Sequence, residues 1–221
     1  MSEHISPKPT VFFVDDDADI RALLGQIVAT RGLASVGFER AQEFLDAFKP
    51  GAAGCLILDI QLPGMSGLEL QHELRVRRID IPIIIITGAG DIEMARNAFK
   101  SGVVDFVTKP FRPAELLESI DRALARDAEN RRVREVVVEA ERRFSKLSAR
   151  EREVVDLLVA GKSTKEIAYH LSLSPKTVDV HRANSMRKIG VGSIAELVHL
   201  AVSLAPGQSK TGPHRPTPSN S

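Results

Sequence analysis

Thr10-Val-Phe-Phe-Val-Asp15-Asp16 is an apolar run that ends in two consecutive carboxylates. Its β-branched and aromatic residues read as a strand, and the abrupt change to acid marks the strand's end. A second run, Cys55-Leu-Ile-Leu-Asp59, also ends in a carboxylate. A third, Asp105-Phe106-Val107-Thr108-Lys109-Pro110, is followed by a lysine. Parallel neighbouring strands would bring three carboxylates and an ammonium to one edge of one sheet.

The remainder of residues 10–126 supports such a sheet. Apolar runs at 10–14, 33–38, 55–58, 83–86 and 103–107 alternate with helical patterns at 18–30, 41–48, 66–77, 91–100 and 113–126. Strands alternating with helices predict an α/β fold with a doubly wound, five-stranded parallel sheet. Leu33-Ala-Ser-Val-Gly-Phe38 is the least apolar run and is expected at an edge. Ligands of such sheets sit beyond the carboxyl ends of the strands, at the switch point. Asp15, Asp16, Asp59, Thr87 and Lys109 all fall at such ends.

The cluster is electrostatically costly unless a divalent cation and a phosphoryl group occupy it. Mg²⁺ takes hard oxygen ligands, here Asp15 or Asp16, Asp59 and the backbone carbonyl near Gln61. Asp59 is then the natural nucleophile, because a carboxylate can take a phosphoryl group directly. Lys109 can pair with a phosphoryl oxygen, and the Thr87 hydroxyl can reach another. The plainer alternative is that acidic residues after a strand cap the next helix, a role open to Asp16 and Asp17.

Val14-Asp-Asp16, Leu58-Asp-Ile-Gln-Leu-Pro-Gly-Met-Ser-Gly67, Ile86-Thr-Gly88 and Val104-Asp-Phe-Val-Thr-Lys-Pro-Phe111 together resemble a two-component receiver domain, flavodoxin-like in fold, over residues 8–126. The resemblance implies Asp59 as phospho-acceptor, Asp15 and Asp16 as the acidic pair for Mg²⁺, and Lys109 as the phosphate-contacting lysine. It also implies Thr87 and Phe106 as the switch hydroxyl and aromatic. A sensor histidine kinase is the implied phosphodonor, and a homodimer the implied phosphorylated state. The expected catalysis extends only to the receiver's own phosphorylation and slow dephosphorylation, so no enzyme in the ordinary sense is expected.

Composition sets wider bounds. A length of 221 residues accommodates two domains. Residues 1–126 carry 14 basic and 18 acidic side chains, whereas residues 146–204 carry 9 and 6, so a nucleic-acid partner is expected for the back half alone. The single cysteine, Cys55, cannot form an internal disulfide and suits a reducing compartment. The longest apolar run, Ile83–Ile86, is too short to span a bilayer, and the first residues do not resemble a signal peptide. A cytoplasmic protein without a membrane partner is expected.

Residues 127–146 are expected to form a helical linker. Residues 127–145 hold 5 basic and 5 acidic side chains and neither proline nor glycine. Val133, Val137, Ala140, Phe144 and Leu147 form a short heptad-like stripe that leaves a dimeric coiled coil open. Residues 147–204 read as helical throughout. Ser148-Ala-Arg-Glu151 is a capping box, Gly161 a stop, Ser163 or Thr164 a second cap, Pro175 a third start, Gly190 a stop and Ser193 a fourth start. Residues 1–7 are expected to be flexible, and the Pro-, Gly- and Ser-rich residues 205–221 a disordered tail.

Leu147-Ser-Ala-Arg-Glu-Arg-Glu-Val154, Gly161-Lys-Ser-Thr-Lys-Glu-Ile-Ala168 and Leu173-Ser-Pro-Lys-Thr-Val-Asp-Val-His-Arg182 resemble the LuxR/FixJ/NarL helix-turn-helix domain, most nearly its FixJ-like branch. The resemblance implies a recognition helix at 175–189 in the major groove of promoter DNA, with RNA polymerase as a further partner. Asp179, Val180 and Ala183 match its base-facing positions. Lys176 shares their face of the helix, Thr177 is a further expected DNA contact, and Lys162, Thr164, Lys165, Arg182, Arg187 and Lys188 are expected nearer phosphates. Val178, His181, Met186 and Ile189 are expected to face the core.

Two other classes of function compete. A phosphatase of the phosphoaspartyl type needs a general acid beside the nucleophile, and Asp59-Ile-Gln61 offers none. A LuxR-type sensor of a small acyl ligand has no use for the complete acidic site.

Overall fold

The computed structural model describes residues 8–88 and 102–204. Residues 1–7, the expected helix at 91–100 and the expected tail at 205–221 lie outside the described residues. The chain divides into two compact units, Met1–Arg131 and Arg132–Ser221.

In the first unit, strands β1 (Thr10–Val14), β2 (Ala34–Phe38), β3 (Gly54–Asp59), β4 (Ile83–Thr87) and β5 (Asp105–Thr108) form one parallel sheet in the order β2-β1-β3-β4-β5. Helices α1 (Ala18–Ala29), α2 (Ala41–Ala47), α3 (Gly67–Val76) and α4 (Pro113–Phe144) belong to the same alternation. The near-continuous apolar strands are explained by burial on both faces. Successive residues point to opposite faces: Cys55, Ile57, Ile84 and Ile86 pack with Leu24, Ile27, Leu116 and Ile120. Leu56, Leu58, Ile83 and Ile85 pack with Phe44, Leu70 and Leu74. Each such fully buried aliphatic side chain stabilises the fold by about 1.5–3 kcal/mol.

β2 lies at an edge, as its composition predicts, and Val36 remains 43% exposed. β5 begins two residues later than the apolar run, because Val103 and Val104 complete the preceding turn and the Val104 amide donates to Ile83 O at 2.8 Å. The expected helix at 113–126 and the expected helical linker are one unbroken helix, α4, which runs to Phe144. Nothing between Arg126 and Asn130 breaks a helix, and three of the residues that follow are held on the first unit. Asp127 is buried, and its Oδ2 accepts the Gly54 amide at 3.0 Å. Asn130 donates to Asp80 Oδ2 at 3.2 Å, and Arg131 to Gly51 O at 2.9 Å.

The second unit contains the end of α4 followed by α5 (Ala149–Val159), α6 (Thr164–Leu171), α7 (Pro175–Ile189) and α8 (Ile194–Ser203). Ser148, Ser163, Ser174 and Ser193 are N-caps, and each side chain accepts a backbone amide of its own first turn. Ser148–Glu151 and Ser163–Glu166 are complete capping boxes. Gly161 and Gly190 adopt φ of 77° where helices end, a conformation without steric cost only for glycine. The core joins Phe144, Val154, Val155, Leu158, Ile167, Val178, Ile189 and Leu197. Ala140 and Phe144 are buried, whereas Val133 is 53% exposed, so the lower half of the coiled-coil stripe is already used within this unit. Among the described residues, no helix is long and apolar enough to cross a membrane.

The junction of Gly54 with β1 sets a strict steric limit. Gly54 has φ of 147°, and a Cβ there would lie 1.8 Å from Thr10 O. Gly54→Ala is therefore expected to destabilise the first unit by about 2–4 kcal/mol, from backbone strain and overpacking together. Urea unfolding followed by circular dichroism checks this; an unchanged midpoint for the sheet-containing transition would contradict the contact.

Candidate functional site

β1 and β3 are hydrogen-bonded neighbours in register, with Val14 opposite Leu58. That pairing places Asp15 and Asp59, the next residue of each, side by side at the carboxyl edge. Carboxylate oxygens of Asp15, Asp16 and Asp59 lie within 4.8 Å of one another, with Asp15 and Asp59 buried and Asp16 exposed. Lys109 Nζ donates to Asp15 Oδ2 at 2.7 Å and to Asp59 Oδ2 at 2.6 Å. The free oxygens are also held: Asp15 Oδ1 accepts the Asp17 amide and Asp59 Oδ1 the Gln61 amide, both at 3.0 Å.

Burial raises the Asp15 carboxyl above its usual range, against the lowering effect of Lys109 and the Asp17 amide. Burial works against the Lys109 ammonium, but its hydrogen bonds to Asp15 and Asp59 outweigh this and raise it. The donor set is three hard carboxylates, two of them sharing the Lys109 ammonium, a composition that suits Mg²⁺ and could hold a metal. Asp17, not Asp16, takes the capping role: its Oδ1 accepts the amides of Asp19 and Ile20.

Thr87 is fully buried at the end of β4, and its carbonyl accepts the Lys109 amide at 2.7 Å. Phe106 pairs with Ile85 in β5 and is partly buried against the α2–α3 side of the sheet. Two supporting residues escaped the sequence reading. Arg21 Nη1 donates to Asp15 O at 2.8 Å, fixing the acidic turn from α1. A Cβ at Gly67 would lie 2.1 Å from Asp59 O, so only glycine lets α3 start against the end of β3. Arg21, one helical turn beyond the Asp17 cap, carried a local signal.

In the second unit, α7 buries Val178, Ser185 and Ile189 and partly buries His181 and Met186. Ser185 is the core-facing residue that apolar spacing missed; its hydroxyl donates to His181 O at 2.7 Å. Lys176, Asp179, Val180, Ala183, Arg187 and Lys188 are exposed, as is Lys165, while Lys162, Thr164, Thr177 and Arg182 are partly exposed. Val180 stays 52% exposed. Several of the expected phosphate contacts are engaged locally. Arg182 lies 3.4 Å from Asp179, Lys162 3.4 Å from Glu166, and Lys188 only 2.7 Å from the buried carboxylate of Glu151.

Comparison with known proteins agrees with both units. The family described as "Response regulator receiver domain" matches residues 11–121, and "Bacterial regulatory proteins, luxR family" matches residues 145–201. Nodulation protein W of Bradyrhizobium diazoefficiens is 41% identical over 90% of this chain and 88% of its own length. The transcriptional regulatory protein FixJ of Azorhizobium caulinodans is 40% identical over 91% and 96%. Among solved structures, the response regulator StyR superposes with a TM-score of 0.78 at 43% identity, covering 88% of this chain and 98% of that one. The sheet, its acidic edge and the helical unit thus define a receiver joined to a LuxR-type DNA-binding domain. The chain belongs to the response-regulator family and is a phosphorylation-dependent DNA-binding regulator homologous to the FixJ-type transcriptional regulators. A receiver implies a histidine kinase partner, and the LuxR-type domain implies DNA.

The cap of α6 yields a pH prediction. Hydrogen bonds from the Ser163 amide and hydroxyl, and then Lys162, lower the Glu166 carboxyl from 4.5 to about 2. A carboxyl lowered in the folded state stabilises it above the unfolded value, and this is lost as pH falls toward the folded one. Glu166→Gln should therefore melt below wild type by a constant interval from pH 7 to about pH 5, narrowing to nothing near pH 2. Melting curves of both proteins across that range test it; a gap that persists at pH 2 would exclude the carboxylate as its source.

Proposed function

We propose that Asp59 accepts the phosphoryl group. A carboxylate oxygen attacks the phosphorus of a phosphohistidine, the P–N bond breaks, and the imidazole nitrogen leaves with the electron pair. The observation that carries this reading is Lys109, whose ammonium already bridges Asp15 and Asp59 where an incoming phosphoryl oxygen would need a cation. Mg²⁺ held by Asp15, Asp16, Asp59 and the Gln61 carbonyl would neutralise charge on the transferring group. Arg21 keeps the acidic turn in place, and Gly67 lets Asp59 sit at the open edge.

The phosphoryl group on Asp59 then attracts the Thr87 hydroxyl, and Phe106 turns inward to follow it. One charge-assisted hydrogen bond is worth about 1.5–3 kcal/mol. That shifts a two-state equilibrium by roughly ten- to a hundredfold, enough to strengthen a weak receiver dimer but not to create one. Residues 8–126 carry this switch, 127–146 link it onward, and 147–204 bind DNA. Two copies present two α7 helices to a two-fold promoter site, with RNA polymerase as a further partner. Asp179, Val180 and Ala183 meet base edges, while Lys162, Thr164, Lys165, Lys176, Thr177, Arg182 and Arg187 lie toward phosphates. The exposure of Val180 supports this, since an apolar contact to a thymine methyl needs such a side chain.

Two substitutions test the switch with a small phosphodonor, Mg²⁺ and sedimentation. Asp59→Asn is expected to take up no phosphoryl group while keeping its fold. Thr87→Ala is expected to accept the group yet dimerise roughly tenfold or more weakly than phosphorylated wild type. Acid-stable, base-labile label on Asp59→Asn would move the acceptor elsewhere, and a full-strength dimer of phosphorylated Thr87→Ala would remove the hydroxyl from the mechanism.

A further inference from the structure

Lys188 occupies the last turn of α7, where a lysine could serve DNA phosphate. Its ammonium instead lies 2.7 Å from Glu151 Oε2. The Glu151 side chain is only 6% exposed, whereas that of Lys188 is 39% exposed. The same Oε2 accepts the Ser148 amide at 2.8 Å, and the Glu151 amide donates back to Ser148 Oγ at 3.3 Å. One carboxylate thus closes the cap of α5 and holds the far end of α7, residues 37 positions apart in the chain.

The burial is asymmetric, and that decides which partner can leave. A solvent-exposed pair exchanges partners at little cost. A buried carboxylate stripped of its cation is strongly destabilising. For Lys188 to reach a phosphate it would have to strand Glu151, and its hydrogen bonds with Ser148 would not supply the missing charge. The Glu151 carboxyl is held at about 2, first by Lys188 and then by the Ser148 amide, so it stays ionised at any working pH. At the opposite end of α7 nothing comparable is needed, because Val178 is buried in the core and Ser174 caps the first turn.

We propose that Glu151 and Lys188 form a positioning pair that sets the recognition helix on the domain, and that Lys188 supports DNA binding through this pair rather than by touching phosphate. The inference rests on the reading of α7 as the recognition helix.

The two roles of Lys188 predict opposite signs for Glu151→Gln, measured on the phosphorylated full-length protein with a short random-sequence DNA duplex between about 50 and 200 mM salt. If Lys188 only positions, Glu151→Gln binds about three- to thirtyfold more weakly, although it removes a negative charge. Lys188→Met then loses a similar factor, the double variant loses no more than either single one, and Lys188→Arg recovers most of the loss. If Lys188 is a phosphate contact, Glu151→Gln frees it: binding tightens and the salt dependence steepens by about 0.9 in slope, which would overturn the proposal. Hydrogen exchange without DNA gives an independent readout. Residues 175–189 are expected to exchange faster in both Glu151→Gln and Lys188→Met, and unchanged exchange in Lys188→Met would overturn the pair even if Glu151→Gln failed to fold. A wild-type chain that does not bind the duplex would instead defeat the DNA-binding reading of α7, leaving hydrogen exchange alone to decide whether the pair positions the helix.

Discussion

Two buried carboxylates share one ammonium at the edge of the sheet, and the first unit is organised around that balance. Asp15 and Asp59 would repel each other if both were ionised side by side in a poorly solvated place. Lys109 offsets the repulsion, and main-chain amides from Asp17 and Gln61 take the remaining oxygens. The arrangement requires β1 and β3 to be adjacent and parallel, which the strand order supplies. It also requires each turn after a strand to be fixed, which Arg21 does for one and Gly67 for the other. The result is an acidic edge with a single ammonium between two of its carboxylates, a donor set that could hold a metal ion.

The helical unit meets a different constraint. Its helices are short, and α6 spans only 8 residues, below the length at which a helix is stable alone in water. Each therefore depends on its cap and on one buried stripe. Serine begins four of them, and two of those serines draw a glutamate back onto their own amide. This economy leaves the outward faces free of structural duty, so α7 can carry an aliphatic side chain and several cations toward solvent without loss of fold.

Much of this was legible in the chain. The strands betrayed themselves through apolar runs ending in Asp or Lys, because burial on both faces removes polar residues until the edge is reached. Helix starts were legible because Ser followed three residues later by Glu is a local geometric device. The helical course past Arg126 was legible in a stretch without proline or glycine. Its anchorage was not: Asp127 meets Gly54, a contact between residues 73 apart. Ser185 was likewise hidden, since a hydroxyl that bonds back to His181 O can be buried without an apolar signature. The pairing of Lys188 with Glu151 was hidden for the same reason: the two lie on different helices.

The grip of Asp127, Asn130 and Arg131 also marks where this protein can be cut and rejoined. A chimaera that takes its receiver from this chain and ends at Arg126 would leave the buried Gly54 amide without its acceptor, and would lose the bonds from Asn130 to Asp80 and from Arg131 to Gly51. A junction placed after Arg131 keeps all of these contacts with the sheet to which they belong. In this chain the unit of exchange is therefore the sheet with its helices through Arg131, and the splice point lies inside a helix rather than in a loop.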